Sequence, residues 1–379
     1  MVSVLETLMA TAPRELTGAW TSAFYDLQKN LSLLLLIEFH QARHEFRMLF
    51  DYHDDILVLN HPENPTSFAT YQVKVKDDPW LMSEIARKRS KVAPKSIISK
   101  MYDHVHQFKD AVSSITLATN AGFNFSLADG TTTSTDHSFI AASQLLASEQ
   151  AKLDKAISSD FSAPLQPYLA RTNFRRFGIP VIHQDQQVKG RLIELFDELG
   201  GGEGVPIKAL YDNLFSEVAK KSRPTTATTL EGFCKDKSID SNQIGELFAE
   251  AMTGKRLSVH WSSIEKELAA TGLDVQDLIR MRKHCFGYVC ARAAGKPQAV
   301  RFANVLDRVL NGTPNVLHGH PNLVAAATAL ETAIPHGALC SYTGLPRLAG
   351  AIVHALEAFY DEDDEFDGAE EAPEQLEGA

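Results

Sequence analysis

Asp54-Asp55-Ile56-Leu57-Val58-Leu59 and Tyr71-Gln72-Val73-Lys74-Val75-Lys76, separated by the loop His61-Pro62-Glu63-Asn64-Pro65, decide how this chain is read. Both runs have the apolar and β-branched character of strands, and the Pro/Asn loop folds the chain back between them. Strand side chains alternate faces, so Tyr71, Val73 and Val75 share one side and Gln72, Lys74 and Lys76 the other. The loop midpoint sets Asp54 and Asp55 roughly level with Val73 and Lys74. An acidic pair and a lysine therefore share one end of a sheet.

Two explanations fit these residues. A carboxylate, helped by a backbone carbonyl and the Gln72 amide oxygen, can hold a hard cation such as magnesium. A bound metal activates water, and a lysine ammonium steadies phosphoryl oxygens, so the set suits phosphodiester cleavage. An ordinary cross-strand Asp/Lys pair on a polar sheet face explains them equally. Taken alone, an acid followed by Gln-x-Lys is common enough that the plainer explanation leads.

Outward from this pair, the spacing predicts a helix over residues 22–44, which contains no Pro or Gly. Strands are expected over 46–60 and 68–76, with a helix starting at Asp78-Pro79-Trp80. Ile98, Met101, Val105 and Phe108 form one stripe of a helix over 97–110. Ile115 to Thr119 reads as a strand, 138–158 as a helix and 174–181 as a last strand. Alternating helix and strand predicts an α/β domain with helices covering a mixed sheet. Beyond Val188 the character changes. The run Gly200-Gly201-Gly202-Glu203-Gly204 reads as a hinge, since no Gly-Lys-Ser/Thr follows it. Residues 206–360 have helical spacing throughout. The expected division is 1–195 as the α/β domain, 196–360 as an all-α C-terminal domain and 361–379 as an acidic, disordered tail.

Charge supports this division. The chain of 379 residues carries a formal net charge of −11, but residues 361–379 hold ten acids and no Lys or Arg, which leaves −1 for the remainder. Within that body Arg87, Lys88, Arg89, Lys91, Lys95 and Lys100 form a basic segment just after the Gln-x-Lys strand. Such a segment can contact phosphates or simply face water. The four cysteines suggest no disulfide framework, and Cys285 and Cys290 read as apolar filler in a helix. With no signal peptide and no long apolar span, a soluble protein of the reducing cytoplasm is expected, without membrane contact. His318-Gly319-His320-Pro321 reads as an interhelical turn.

The order of several stretches gives a resemblance. Pro13-Arg14-Glu15-Leu16-Thr17-Gly18-Ala19 leads to Ala23-Phe24-Tyr25-Asp26-Leu27-Gln28 and a Leu-rich helix. The two strands follow, then Ser99-Lys100-Met101, Leu117-Ala118-Thr119-Asn120 and Ile182-His183-Gln184-Asp185-Gln186-Gln187-Val188-Lys189-Gly190-Arg191-Leu192. In order and spacing the first 195 or so residues resemble the double-stranded DNA endonuclease domain of bacterial anti-phage systems, first named as a CD-NTase-associated effector. That domain belongs to the restriction-endonuclease-like PD-(D/E)XK superfamily.

The resemblance implies a magnesium-dependent endonuclease, with manganese as a substitute. Asp55 would be the metal-binding acid, with Asp54 as the second choice, and Gln72 and Lys74 would take the other signature positions. Gln28 matches a helix position where relatives carry Gln or Glu facing the site. Gln72 departs from the usual Glu and removes one negative ligand. Glu38 is expected at a helix edge facing solvent rather than as a ligand. A short chain with an all-helical end further resembles the nuclease subunit of Lamassu systems. This implies an SMC-like ATPase partner, a small accessory subunit, double-stranded DNA as substrate and a homo-oligomeric active state. The competing expectation is a non-catalytic DNA-binding or adaptor subunit with a degenerate nuclease fold.

Overall fold

In the computed structural model the described residues are 17–88, 95–133, 137–161, 168–199, 204–335 and 342–367. Pro13 to Leu16, Arg89, Lys91, Pro164, Pro167, residues 200–203 of the glycine run and residues 368–379 of the acidic tail lie outside them. By compactness the chain forms two units, Met1–Arg191 with Leu214–Ile244, and Leu192–Asn213 with Gly245–Ala379.

The first unit is built on helix α1 (Thr17–Gln41). Every residue from 30 to 37 is buried, as an all-apolar run such as Leu33 to Ile37 requires of a helix surrounded by protein. The polar residues in this stretch are accounted for. Asn30 Nδ2 donates to Asp26 O at 2.9 Å and to Gln184 Oε1 at 3.1 Å, and Ser32 Oγ donates to Gln28 O at 3.0 Å. Gln184 Nε2 in turn donates to Ala23 O and Val181 O. Gln184 therefore ties its own segment to α1.

After α1 come β1 (Arg47–Tyr52), β2 (Asp54–Leu59) and β3 (Phe68–Lys74). The single strand expected over 46–60 is in fact the tight antiparallel hairpin β1–β2, paired from Arg47↔Leu59 to Tyr52↔Asp54. Asp51 and His53 make the reversal in left-handed backbone, at φ 47° and 63°. Two short segments follow, strand β4 (Trp80–Leu81) and helix α2 (Met82–Ala86), where a helix alone was expected.

Helix α3 (Ile97–Phe108) is capped by Ser96, whose side chain accepts from Ser99 N–H, and leads to β5 (Val112–Thr119). The stretch 138–158, read as one helix, divides into β7 (Phe139–Ala141) and α4 (Ala147–Phe161), with β6 (Phe123–Asn124) before them. Strand β8 (Thr172–Arg176) ends before the expected 181, short of left-handed Gly178 and of Pro180. Helices α5 (Gln184–Glu198), α6 (Ile207–Lys221) and α7 (Leu230–Lys237) follow, and β9 (Ser238–Asp240) breaks the helical pattern expected after Pro206.

The main sheet has seven strands in the order β7-β8-β5-β3-β2-β1-β9. Neighbours β3/β5 and β5/β8 are parallel and the other pairs antiparallel, so the sheet is mixed. Ile98, Met101 and Val105 of α3 and Leu153 and Ile157 of α4 pack with Ile115, Leu117 and Phe174 of the sheet. Each such side chain, fully buried, contributes about 1.5–3 kcal/mol. Trp80 Nε1 donates to Thr119 Oγ1 and Lys76 N–H to Asn120 Oδ1, so the stretch Leu117 to Asn120 fastens the β3–β4 connection. The end of β9 is held by Arg47, which pairs with Asp240 and donates to Ser238 Oγ.

The second unit is helical. Its α8 (Ser241–Ala270), α9 (Val275–Ala293), α10 (Pro297–Gly312), α11 (Leu323–Ala333) and α12 (Leu345–Asp367) supply one apolar cluster, from Leu257 and Trp261 through Met281, Phe302 and Leu330 to Ile352 and Leu356. A polar group crosses it. Arg292 Nη1 donates to both Glu357 oxygens, at 3.0 and 2.9 Å, and Thr253 Oγ1 donates to Glu357 Oε1. His354 joins Tyr288 Oη through Nε2 and Asp307 through Nδ1. Cys285 is buried as expected, whereas Cys290 is exposed. Residues 314–319 form the turn expected around His318, and among the described residues no helix is long and apolar enough to cross a membrane.

Candidate active site

The regular β2–β3 ladder stops at Ile56↔Tyr71. Asp54 and Asp55 lie just beyond it, at the point where β3 continues alongside β5 as far as Lys74↔Thr119. The Asp55 side chain meets β3 there. Its Oδ2 accepts from Gln72 Nε2 and from Val73 N–H, the latter at 2.6 Å, and lies 3.7 Å from Lys74 Nζ. Lys74 Nζ also donates to Val73 O at 2.8 Å. Two side chains and a backbone amide, seventeen to nineteen positions further along the sequence, are thus gathered on one carboxylate.

The two aspartates part company here. The Asp55 side chain retains 23% exposure and lines a cavity of about 390 Å³ with Phe24, Tyr25, Gln28, Val73, Lys74 and Val75. The Asp54 side chain is 5% exposed, and its Oδ2 sits 3.3 Å from Nε2 of buried His104 on α3 without forming a hydrogen bond. Its other oxygen accepts from Asp55 N–H at 3.0 Å. Asp55 therefore faces the cavity, and Asp54 braces the strand end.

Burial pushes the Asp55 carboxyl above the usual carboxylate range. Lys74 acts against that rise, the Asp54 charge adds to it, and the hydrogen bonds from Val73 and Gln72 oppose it. A cation in the cavity would favour the ionised form for the same Coulombic reason that Lys74 does.

The ligands available around Asp55 are oxygens: its carboxylate, the Val73 carbonyl, which here accepts from Lys74, and the amide oxygen of Gln72. Gln72 turns its Nε2 to Asp55 and does not itself line the cavity. Among the described residues no group of three or more His, Cys, Asp or Glu is placed to hold a metal. One carboxylate with neutral oxygens does not suit zinc, which favours nitrogen and sulfur. It fits a hard divalent cation that keeps much of its water, as magnesium does.

Gln28 reaches the cavity from α1 as the sequence suggests, and its Nε2 donates to Asp51 Oδ1 at 2.6 Å. Asp51 has no counterpart in the sequence reading. It becomes visible only once the hairpin register is known. Glu38 does not face solvent alone. It takes both of its bonds from Arg175 Nη2, at 2.8 and 2.7 Å, beside Tyr71, whose phenol is raised by burial. Of the basic segment, Arg87 and Lys88 are exposed and Lys88 Nζ pairs with Asp160 at 2.6 Å. Lys95 pairs with Asp103 and lies over the Phe161 ring.

A family model described as Cap4, dsDNA endonuclease domain, matches residues 16–222, more than half of the chain. Neither the curated proteins nor the solved structures provide a match.

Proposed function

The chain belongs to the Cap4 dsDNA endonuclease domain family, and from that premise we propose that the cavity at Asp55 hydrolyses DNA phosphodiesters with magnesium, or manganese in its place. The observation that carries this reading is the meeting of Asp55 and Lys74, at 3.7 Å, on the wall of one open cavity. Asp55, the Gln72 amide oxygen and the Val73 carbonyl would hold the cation. When bound, the metal lowers the pKa of a water and offsets charge on the phosphoryl group.

The protein's own groups do the positioning. Gln72 Nε2 and the Val73 N–H hold one oxygen of Asp55 in place, which leaves Oδ1 for the cavity. Lys74 brings a positive charge to the same wall, where negative charge grows on a phosphoryl oxygen in the transition state. Its present bond to Val73 O is one that a substrate phosphate can replace. The neutral Gln72 makes cation binding weaker than two carboxylates would. With no base-reading element assigned, low sequence preference is expected, and Arg87, Lys88, Arg89 and Lys91 would add salt-sensitive backbone contacts.

Control of such an enzyme belongs, in this reading, to residues 196–360, as a regulatory and oligomerisation region following the nuclease domain at 1–195. The setting is anti-phage defence. The partners are an SMC-like ATPase and a small accessory subunit of Lamassu type, with release or assembly as the trigger.

The test is cleavage of supercoiled and linear plasmid with magnesium across protein concentrations, comparing wild type with Lys74→Ala. Loss of one transition-state donor should lower the rate by about 10²–10³-fold. Equal cutting by both proteins refutes the reading. No magnesium or manganese binding by the wild type would favour the non-catalytic adaptor, a reading that Gln72 in place of an acid keeps in view.

A further inference from the structure

Asp51 stands across from Asp55. The β1–β2 register pairs Phe50 with Ile56 and Tyr52 with Asp54, so positions 51 and 55 are the intervening pair. The left-handed backbone of Asp51, φ 47°, takes it out of the ladder, and its carboxylate meets α1 instead. There Oδ1 accepts from Gln28 Nε2 at 2.6 Å. Gln28 lines the cavity that Asp55 and Lys74 share.

A glutamine amide has a donor end and an acceptor end, and a carboxylate can only accept. Asp51 therefore holds the NH2 end of Gln28. Among the described residues nothing donates to Gln28 Oε1, which is the end left over for the cavity. The two ends have opposite uses at such a site. An NH2 group would seek phosphate oxygens, whereas a carbonyl oxygen repels them and accepts from a water or faces a cation. A hydrogen bond from the same amide to a carboxylate also polarises the carbonyl and makes it a better acceptor.

We propose that Asp51 is a positioning residue that fixes Gln28 with its carbonyl oxygen toward the Asp55 cavity, as an acceptor for a hydrated divalent cation. This rests on the reading of the cavity as a metal-dependent nuclease site. It gives the site a second carboxylate, acting through an amide, in a chain where Gln72 lacks the charge. Among the described residues the Asp51 charge also acts on the buried Lys237, whose ammonium donates to Arg223 O. A purely structural Asp51 would serve that lysine and be indifferent to what stands at position 28.

The experiment is manganese titration by calorimetry on the full chain without DNA, for wild type, Asp51→Asn, Gln28→Glu and the double variant, with a thermal melt of each. The amide introduced by Asp51→Asn can donate to Gln28 Oε1 and turn the glutamine around. Asp51→Asn alone should thus weaken manganese binding by about tenfold, the lower range for losing an outer partner of a metal site. In the Gln28→Glu background both ends of the side chain at position 28 accept, and the amide at position 51 supplies the donor that a carboxylate there needs. Asp51→Asn should then be neutral or improve binding. Plasmid cleavage should follow, with kcat reduced in Asp51→Asn and KM for DNA unchanged. The same loss in both backgrounds, or no loss in either, overturns the proposal while the wild type still binds manganese. A wild type that binds none overturns the nuclease reading and this proposal together.

Discussion

Gln72→Glu puts back the carboxylate that the superfamily pattern carries, and its consequences are opposite with and without metal. In the wild type Gln72 Nε2 donates to Asp55 Oδ2. The substitution removes a hydrogen bond to a charged group, which costs about 1.5–3 kcal/mol. It also sets two carboxylates in contact. At about 4 Å and an effective dielectric constant near 20 their repulsion is about 4 kcal/mol. Partial exposure of the Asp55 side chain, 23%, and uptake of a shared proton reduce that figure by about half. The metal-free variant should therefore lose roughly 3.5–5 kcal/mol at pH 8. At about 2–4 °C per kcal/mol, the melting temperature falls by roughly 7–20 °C.

A divalent cation bound as proposed would reverse the sign of the new interaction, because the second carboxylate would become a ligand. Each tenfold gain in affinity returns about 1.4 kcal/mol at saturating metal. The assay is a thermal melt of wild type and variant in chelator and across a magnesium series. The gap between them should close as magnesium rises, and close also as the pH falls and the pair takes up a proton. A gap that is the same at every magnesium concentration would refute the proposed part of Gln72 in holding the cation.

Three further outcomes are expected. Asp55→Asn tests linkage: burial raises the Asp55 carboxyl in the fold, so its ionisation penalises the native state fully above the folded pKa and not at all below the ordinary value of 3.8. In chelator the variant should gain on wild type at pH 8 and lose that advantage near pH 4, as denaturant melts would show. Glu357→Leu leaves Arg292, whose side chain is 11% exposed, with the half-exposed Glu250 as its remaining carboxylate and should cost up to about 3 kcal/mol in urea unfolding. Gly350→Ala, on α12, would drive its Cβ into the Phe302 ring. Overpacking of about 1–3 kcal/mol should outweigh the helix-propensity gain of up to about 1 kcal/mol, measured as a lower melting temperature.

Much of the candidate site's geometry was legible because it lies on strong local signals. Asp55, Gln72 and Lys74 flank a loop marked by Pro62 and Pro65, and the structure gathers the three at one carboxylate. Strand parity was the missing quantity for Asp54 and Asp55. A one-residue change in loop register exchanges the two faces, and only the final ladder pair, Ile56↔Tyr71, shows where regular pairing ends. The hairpin within 46–60 was hidden for a different reason. Its reversal uses Asp51 and His53 in left-handed backbone, with no Gly, Asn or Pro to announce it. Strands β7 and β9 are three residues each, too short for a period of two to stand out from Ala- and Ser-bearing helical sequence.

The same reversal explains why Asp51 escaped notice and why it matters. Read as one long strand, 46–60 places Asp51 four residues from Asp55 along a single chain direction, well away from the site. Folded as a hairpin, it brings Asp51 level with Asp55, and the left-handed turn that permits this also frees its carboxylate to reach Gln28. A non-glycine residue at positive φ is a local cost that the surrounding structure must impose. At Asp51 that cost accompanies a contact to a side chain lining the cavity. If Asp51→Gly, which relieves the strain, stabilises the chain yet weakens manganese binding, the turn is held for the site rather than for the fold. If it stabilises the chain and leaves manganese binding untouched, the hairpin geometry alone accounts for the residue.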